Sequence, residues 1–446
     1  MFALPHRSPL PAIAALVILF TGFAVQRADA APAVVRIAPA GTDPNGPSAY
    51  PSLSATGRFI AFGSIASNLG PSVGTGRTPN IYRQDLLTGT IEVLSSGSGA
   101  PADGPSTTPS ISGDGSAVAF ASRAGNLVAG DSNQKPDIFV RVVGGPIVLI
   151  TRTPGGQLTT GASYQPTISA DGRHVAFSST ADDLVFGDDN ASSDVFVSDL
   201  LTGAIQRVSV SGRHRQANGP SSNPAISADG RFVSFTSAAS NLVPRDRNRV
   251  QDVFVHDMRT GATRRASVSS AGREQNAAAS PPFAQVSDLS SDGRYVVFDS
   301  NGSNLVPRDR NDHTDVFRHD MATGRTVLVS RRSSGAPGDN DSFAPAVSAD
   351  GNRVVFQSSA ENLAEPWAPG PNVYVRDIAR RRTSIADVAV GGGPRSAELD
   401  PSLLQQAAIS DTGELVAFES GADNLIGGDD NGADDLFVTF VASPNA

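Results

Sequence analysis

One unit recurs seven times along the chain, and no other feature constrains its folding as strongly. Aligned on a shared glycine, the copies read PSLSATGRFIAFGS, PSISGDGSAVAFAS, PTISADGRHVAFSS, PAISADGRFVSFTS, VSDLSSDGRYVVFDS, PAVSADGNRVVFQS and AAISDTGELVAFES. The glycine falls at 57, 115, 172, 230, 293, 351 and 413, so the spacing stays between 57 and 63 residues. In each copy a short apolar run ends at Asp-Gly or a relative, and a second run with alternating large residues follows. Gly there accepts positive φ without a Cβ clash, which reads as a tight hairpin. A longer loop leads to a third run such as DVFVHDM (252–258), and Thr260-Gly261 turns it into a fourth, TRRASVS (263–269). Each unit is expected to be a four-stranded antiparallel meander.

Such a meander carries apolar residues on both faces and cannot bury them alone. Radial packing of seven copies buries both, which predicts an all-β, seven-bladed β-propeller of four-stranded antiparallel blades, with repeats over about 50–442. The ends of the chain support a closed ring. Unit seven stops after its third strand, DDLFVTFVA (434–442), whereas AVVRIAPAGTDPNGPSAYPS (33–52) matches the fourth strand and following loop of unit three, AIQRVSVSGRHRQANGPSSNPA (204–225). An N-terminal strand at about 33–39 is therefore expected to complete the last blade and remove the open edge.

Residues 1–30 combine Arg7, an apolar run from Leu10 to Val25 and Ala28-Asp29-Ala30, the pattern of a secretory signal peptide. A single propeller domain over 31–446, secreted or periplasmic, is the expectation, with no membrane span after cleavage. Cysteine is absent, so no disulfide can staple the fold. Cleavage removes two arginines and one aspartate, taking the formal charge from −9 to −10. That balance argues against nucleic acid as a partner. A monomer binding a protein or cell-envelope ligand is expected.

Strand alternation sorts the loops. The Asp-Gly and Thr-Gly turns all fall on one end of the propeller, and the long connections fall on the other. Binding residues concentrate on loops carried by a rigid scaffold, so the long-loop face is the functional candidate. The loops between second and third strands repeat Asp-x-Asn-x-x-x-Asp, at Asp131, Asn133, Asp137; Asp188, Asn190, Asp194; Asp246, Asn248, Asp252; Asp309, Asn311, Asp315; and Asp429, Asn431, Asp435. Units one and six keep only Asn80 and Asn372 at the last position. Oxygen ligands at alternating positions suit calcium, although the distant bidentate Glu of an EF-hand has no counterpart. The same residues also cap turns and satisfy loop amides, so calcium binding and simple loop ordering both stand. Arg245, Arg247, Arg308 and Arg310 give units four and five a basic sector, read as a partner-steering patch or a solvated rim.

No phosphate loop, dinucleotide fingerprint, zinc spacing or cysteine nucleophile appears. Gly70-Pro71-Ser72-Val73-Gly74 has the form of a nucleophile elbow, but it sits in a loop and no strand–helix context follows. His256 and His319 share one third-strand position in successive units, which reads as strand variation and not as a catalytic or metal pair. No catalytic residue is assigned. The core S-x-D-G-R-x-V-x-F-x-S followed by D-V-[FY]-V-x-D-x-x-T-G, fullest at 169–203 and 227–261, resembles the WD40-like repeats of TolB-type β-propellers. That resemblance implies the fold, and related propellers gate oligopeptidases or form polygalacturonate-cleaving lyases. Two functional readings follow: an exported, non-enzymatic binding scaffold, or a carbohydrate-active lyase or glycoside hydrolase with its site at the channel mouth.

Overall fold

The computed structural model describes residues 34–70, 78–97, 100–277, 285–307, 309–367, 370–389, 391–396 and 407–441. The expected signal peptide, Ser72 and Arg308 lie outside them. Seven four-stranded sheets follow the seven repeats. Blade 1 runs Ser48–Leu53, Phe59–Ser64, Asn80–Asp85, Ile91–Val93. Blade 2 runs Ser106–Ile111, Ala117–Ser122, Asp137–Val142, Ile147–Leu149. Blade 3 runs Ser163–Ile168, His174–Ser179, Asp194–Asp199, Ile205–Arg207. Blade 4 runs Ser221–Ile226, Phe232–Ser237, Asp252–Asp257, Ala262–Arg265. Blade 5 runs Ser287–Leu289, Tyr295–Ser300, Asp315–Asp320, Arg325–Leu328. Blade 6 runs Ser342–Val347, Arg353–Ser358, Asn372–Asp377, Arg382–Ile385.

Blade 7 joins the two ends of the chain. Its Ala408–Ile409, Leu415–Ser420 and Asp435–Phe440 are completed by the N-terminal strand Val34–Arg36, antiparallel, with Val35 opposite Val438 and Arg36 opposite Phe437. The ring is closed as the matching ends predict. First strands of neighbouring blades lie against one another, so they line the channel and the fourth strands form the rim.

The core is repeated seven times. Each blade stacks one aromatic of its second strand on one of its third, from Phe62 on Tyr82 to Phe418 on Phe437, with ring centroids 5.5 to 5.9 Å apart. Such pairs add about 1 kcal/mol each beyond the area they bury. Between blades the apolar faces merge: Ala119, Ala121 and Val140 of blade 2 pack with Val175, Phe177 and Phe196 of blade 3.

The S-x-D-G-R motif is a turn device with an external grip. In blade 4, Ser227 Oγ donates to Asp229 Oδ1 at 2.8 Å, the Arg231 amide donates to the same oxygen at 3.0 Å, and the Phe232 amide donates to Ser227 Oγ at 2.8 Å. Arg231 then reaches the Asp257 carboxylate with two bonds of 3.0 and 2.8 Å, clamping the first hairpin to the end of the third strand. Blades 1, 3 and 5 repeat the clamp as Arg58–Asp85, Arg173–Asp199 and Arg294–Asp320. The turn glycines are fixed twice over. All seven have φ between 69° and 75°, and a Cβ on Gly293 falls 2.4 Å from the Phe232 ring of the preceding blade.

Those same turns ring one end of the channel. Ala55, Gly113, Ser291, Ala349 and Asp411, with Ala170-Asp171 and Ala228, form a ring of backbone N–H···O bonds of 2.9 to 3.4 Å, each blade bonded to the next and Asp411 back to Ala55. Hydrogen-bonded neighbours lie about 5 Å apart at Cα, so seven of them enclose a circle of roughly 6 Å radius measured between backbone centres. The main chain of all seven turns therefore rings this end of the channel.

Candidate functional site

The five Asp-x-Asn-x-x-x-Asp loops sit on the opposite, long-loop end and share one wiring. The Asn side chain donates through Nδ2 to the last Asp: 2.8 Å for Asn133–Asp137, 2.9 Å for Asn190–Asp194, 2.8 Å for Asn248–Asp252 and Asn311–Asp315, and 3.0 Å for Asn431–Asp435. Nδ2 also reaches a carbonyl of the next connection, as Asn190 does to Ala217 O at 2.9 Å. Its Oδ1 accepts a backbone amide two residues on, that of Ser192 at 2.9 Å for Asn190. In blades 2 to 5 the last Asp accepts a fourth-strand-end hydroxyl from Thr151, Ser209, Ser267 or Ser330. Each loop is thereby tied to the next connection.

In three blades a guanidinium stands between the first and last Asp. Arg207 Nη1 is 3.1 Å from Asp188, and Arg265 bridges Asp246 at 3.3 Å and Asp252 at 3.2 Å. Arg36 Nη1 lies 2.6 Å from Asp43, 3.2 Å from Asp429 and 3.3 Å from Asp435. Asp43, Asp429 and Asp435 form a three-carboxylate cluster with ligand atoms within 4.8 Å of one another, and Arg36 supplies its positive charge. In blades 2 and 5 the matching fourth-strand position is Leu149 and Leu328. No ion pair between an arginine and Asp131, Asp137, Asp309 or Asp315 occurs among the described residues. Burial pushes Asp315 up to about 7, with Asp309 adding to the rise, whereas Asp252 beside Arg265 is held to about 6.

The basic sector is exposed. Arg245, Arg247 and Arg310 point to solvent on the long-loop face. The two strand histidines are structural. His256 Nδ1 is 2.9 Å from Thr263 Oγ1, whose hydroxyl donates to Val210 O of the preceding blade, and His319, Thr326 and Val268 repeat this. Burial lowers both imidazoles to about 4.

The blades differ most at the channel mouth. In blades 1, 2, 3, 4 and 6 the first strand bulges at Tyr50, Thr108, Gln165, Asn223 and Ala344, all with φ between 49° and 58° and each followed by proline. Proline has no N–H, so the ladder breaks without stranding a donor. Facing the bulge is the residue before the last serine of the second strand: Gly63, Ala121, Ser178, Thr236, Asp299, Gln357 and Glu419 around the ring. Gly63 leaves room for the Tyr50 ring, and Ser178 donates to Gln165 Oε1 at 3.1 Å. Asp299 accepts the Val286 amide at 2.9 Å. Burial pushes Asp299 up to about 7 and Glu419 to about 8. Asp299 is fully buried. This series was readable in the repeats as the one variable letter in F-x-S, and no motif flags it because each residue alone is ordinary.

Over blades 2 to 4 the mouth opens into a cleft of about 310 Å³, lined by Thr107, Thr108, Tyr164, Gln165, Ser178, Ser193 and Ser222. Tyr164 is 41% exposed and Tyr50 43%. A separate groove of about 620 Å³ follows the outer seam between blades 2 and 3, with Phe186 at its lip 89% exposed.

No family model and no curated protein matches the chain. Solved structures do match. An oligogalacturonate lyase in complex with manganese superposes with a TM-score of 0.56 at 14% identity, covering 92% of this chain and 93% of its own. The β-propeller domain of the Trilobed protease from Pyrococcus furiosus gives 0.51 at 12% identity, covering 88% and 95%. TolB from Acinetobacter baumannii gives 0.41 at 14% identity, covering 87% and 81%. The chain is thus a seven-bladed propeller whose fold the lyase and the protease domain share, and at such identities the likeness is one of fold.

Proposed function

We propose that the chain is an exported, non-enzymatic β-propeller that holds a protein or cell-envelope ligand at the long-loop end of its channel. The observation that carries this is the asymmetry of the two ends. One uniform ring of main-chain bonds forms the tight-turn end, while the mouth is where the repeats diverge in chemistry. The Asp-x-Asn loops act as ordering devices under this reading. In blades 2 to 5 the Asn amide and a fourth-strand-end hydroxyl engage both oxygens of the last Asp, so calcium is not required to hold that end of the loop. The leader-like sequence of residues 1–30 supports export.

A second reading, a carbohydrate-active enzyme, draws on Asp299 and Glu419, whose carboxyls titrate near neutrality as a general acid requires. Their burial between blades weighs against contact with a substrate.

The absence of cysteine gives a direct test. Single cysteines are placed at the mouth (Thr107→Cys) or on the tight-turn face (Arg259→Cys), and each is blocked with a bulky maleimide. Blocking at 107 is expected to abolish retention of envelope material by the immobilised protein, and blocking at 259 is expected to leave it intact. The reverse pattern sinks the proposal.

A further inference from the structure

Resting on that reading of the mouth, we infer that its ligand is a neutral, hydroxyl-rich chain, chemically an uncharged oligosaccharide, seated in the cleft of blades 2 to 4 against Tyr164 and Gln165. Three observations converge on this class.

The first is the lining itself. Apart from the Tyr164 phenol, the cleft carries only hydroxyls and one primary amide: Thr107, Thr108, Gln165, Ser178 and Ser222, with Ser193. Gln165 Oε1 already accepts from Ser178 and Asn223, its Nε2 donates to Asn223 Oδ1, and Ser193 Oγ donates to Ser221 O. A polyol therefore meets the second Nε2 hydrogen, the threonine hydroxyls and the remaining hydroxyl lone pairs, which between them both donate and accept. Among the described residues no cation lines the cleft to pair with a uronate, phosphate or peptide carboxylate. Thr108 Oγ1 is buried at the cleft wall with no partner among the described residues.

The second is the aromatic face. Tyr164 is held on a first strand beside a bulge and remains 41% exposed, whereas the stacked aromatics of the second and third strands are buried in the blades. A rigid, half-exposed ring presents an apolar face with a polar tip, the surface on which the C–H face of a sugar ring packs. The cleft is at the small end of ligand-sized cavities.

The third separates a saccharide from a peptide. Extended peptides are commonly captured by pairing with an unpaired strand edge. Here the channel-facing amides of the first strands are already bonded to the preceding blade: Ile111 N to Ser52 Oγ at 3.1 Å, Ile168 N to Ser110 Oγ at 3.0 Å, and Asn223 N to Gln165 Oε1 at 3.2 Å. The inner edge offers a peptide few main-chain donors. Recognition is left to side chains, which suits hydroxyls.

The test is calorimetric titration of the mature protein with three probes of similar length: cellotetraose, maltotetraose and tetragalacturonic acid, with tetra-alanine as the peptide control. At least one neutral tetrasaccharide is expected to bind, with the acidic one weaker by roughly tenfold or more. Tyr164→Ala and Gln165→Ala are each expected to weaken binding by roughly tenfold, while Phe186→Ala at the outer groove leaves it unchanged. Thermal melting of each variant establishes that it folds, and Tyr164→Phe keeps the ring if Tyr164→Ala does not fold. If only the acidic sugar or the peptide binds and Tyr164→Ala removes it, the ligand class is wrong and the mouth reading stands. If any probe binds with unchanged affinity in both mouth variants, or none binds up to millimolar concentration, the inference is overturned.

Discussion

Arg36 and Asp435 face each other at 3.3 Å across the seam that closes the ring, although 399 residues separate them along the chain. Arg36 is the cation that the N-terminal strand brings to the carboxylates of Asp43, Asp429 and Asp435, and its side chain is 10% exposed against 0% for Asp435. The strand itself spans only Val34–Arg36, three residues. Ladder bonds alone make a weak clasp, and the buried Ile37 packed with Leu436 and Val438, the Asn431 bonds to Asp43 and Pro44, and the ion cluster add to it.

Replacing Arg36 with methionine keeps most of the stem and removes the charge, leaving three neighbouring carboxylates with no counter-ion. Breaking such a buried cluster costs about 3 kcal/mol. Urea denaturation is expected to show a loss of that order, and Arg36→Lys a smaller one because a point charge cannot span three partners. A loss below about 0.5 kcal/mol, the scatter of surface substitutions, refutes the clasp.

Stability should also respond to pH in two opposite ways. Asp299 and Asp315 are raised to about 7 and Glu419 to about 8, in each case first by burial. In the window between the ordinary carboxylate range and 7 to 8, the folded state holds more protons than the unfolded one, so these groups cost stability as pH rises. Asp199, Asp257 and Asp320 run the other way, held well below the usual range by Arg173, Arg231 and Arg294. Their contribution is present above the ordinary carboxylate pKa and is lost as pH falls below it. His256 and His319, lowered to about 4 by burial, oppose the raised carboxyls below about 6.5, where the unfolded imidazoles take up protons first. The raised carboxyls outnumber them, so the melting temperature is expected to rise from pH 8 to about 5 and fall below about 4. Asp299→Asn should flatten the upper limb, and an unchanged slope there contradicts the assignment.

The two constraints on the turn glycines can be separated. Gly203 has φ +72° and nothing within 4 Å of where a Cβ would stand, whereas Gly293 has φ +69° and Phe232 at 2.4 Å. Gly203→Ala should cost about 1 kcal/mol, the left-handed penalty alone. Gly293→Ala should cost about 3 kcal/mol, since overpacking is added to it. Equal losses in chemical denaturation would show that the inter-blade contact relaxes freely.

Much of this was legible in the repeats. The glycine spacing set the blade count, and the match of AVVRIAPAGTDPNGPSAYPS to the fourth strand and following loop of unit three placed the closing strand where Val34–Arg36 lies. The site was less legible, for physical reasons. Arg36, Arg207 and Arg265 come from fourth strands, and nothing in the Asp-x-Asn pattern signals a cation arriving from another strand. The closed ring of backbone bonds carries no side-chain signature beyond small residues. Tyr164 and Gln165 stand in a turn-like stretch before Pro166, where turn chemistry accounts for the letters and hides the exposed ring.

The exposed arginines test whether charge on the same face matters. Arg245, Arg247 and Arg310 are solvent-exposed, so reversing all three to glutamate should leave stability within about 0.5 kcal/mol per site. A neutral ligand in the cleft predicts unchanged saccharide affinity and no added salt dependence. A clear loss of affinity that salt abolishes would instead give the basic sector a steering role.

Calcium separates ordering by hydrogen bonds from ordering by metal, and blade 5 is the informative place because no arginine ion pair to Asp309 or Asp315 occurs among the described residues. Asn311 turns Nδ2, not its oxygen, toward Asp315 at 2.8 Å, and Ser330 donates to the other carboxylate oxygen at 2.5 Å. A calcium ion there has to displace the amide and deprotonate a carboxyl raised to about 7, while finding six or more oxygens. Melting in millimolar calcium and in chelator is therefore expected to agree within about 1 °C, since metal binding to the folded state at a hundredfold excess over Kd adds about 2.7 kcal/mol and moves a melting temperature visibly. An upward shift that disappears in Asp309→Asn assigns the metal to this loop and overturns the hydrogen-bond account of it.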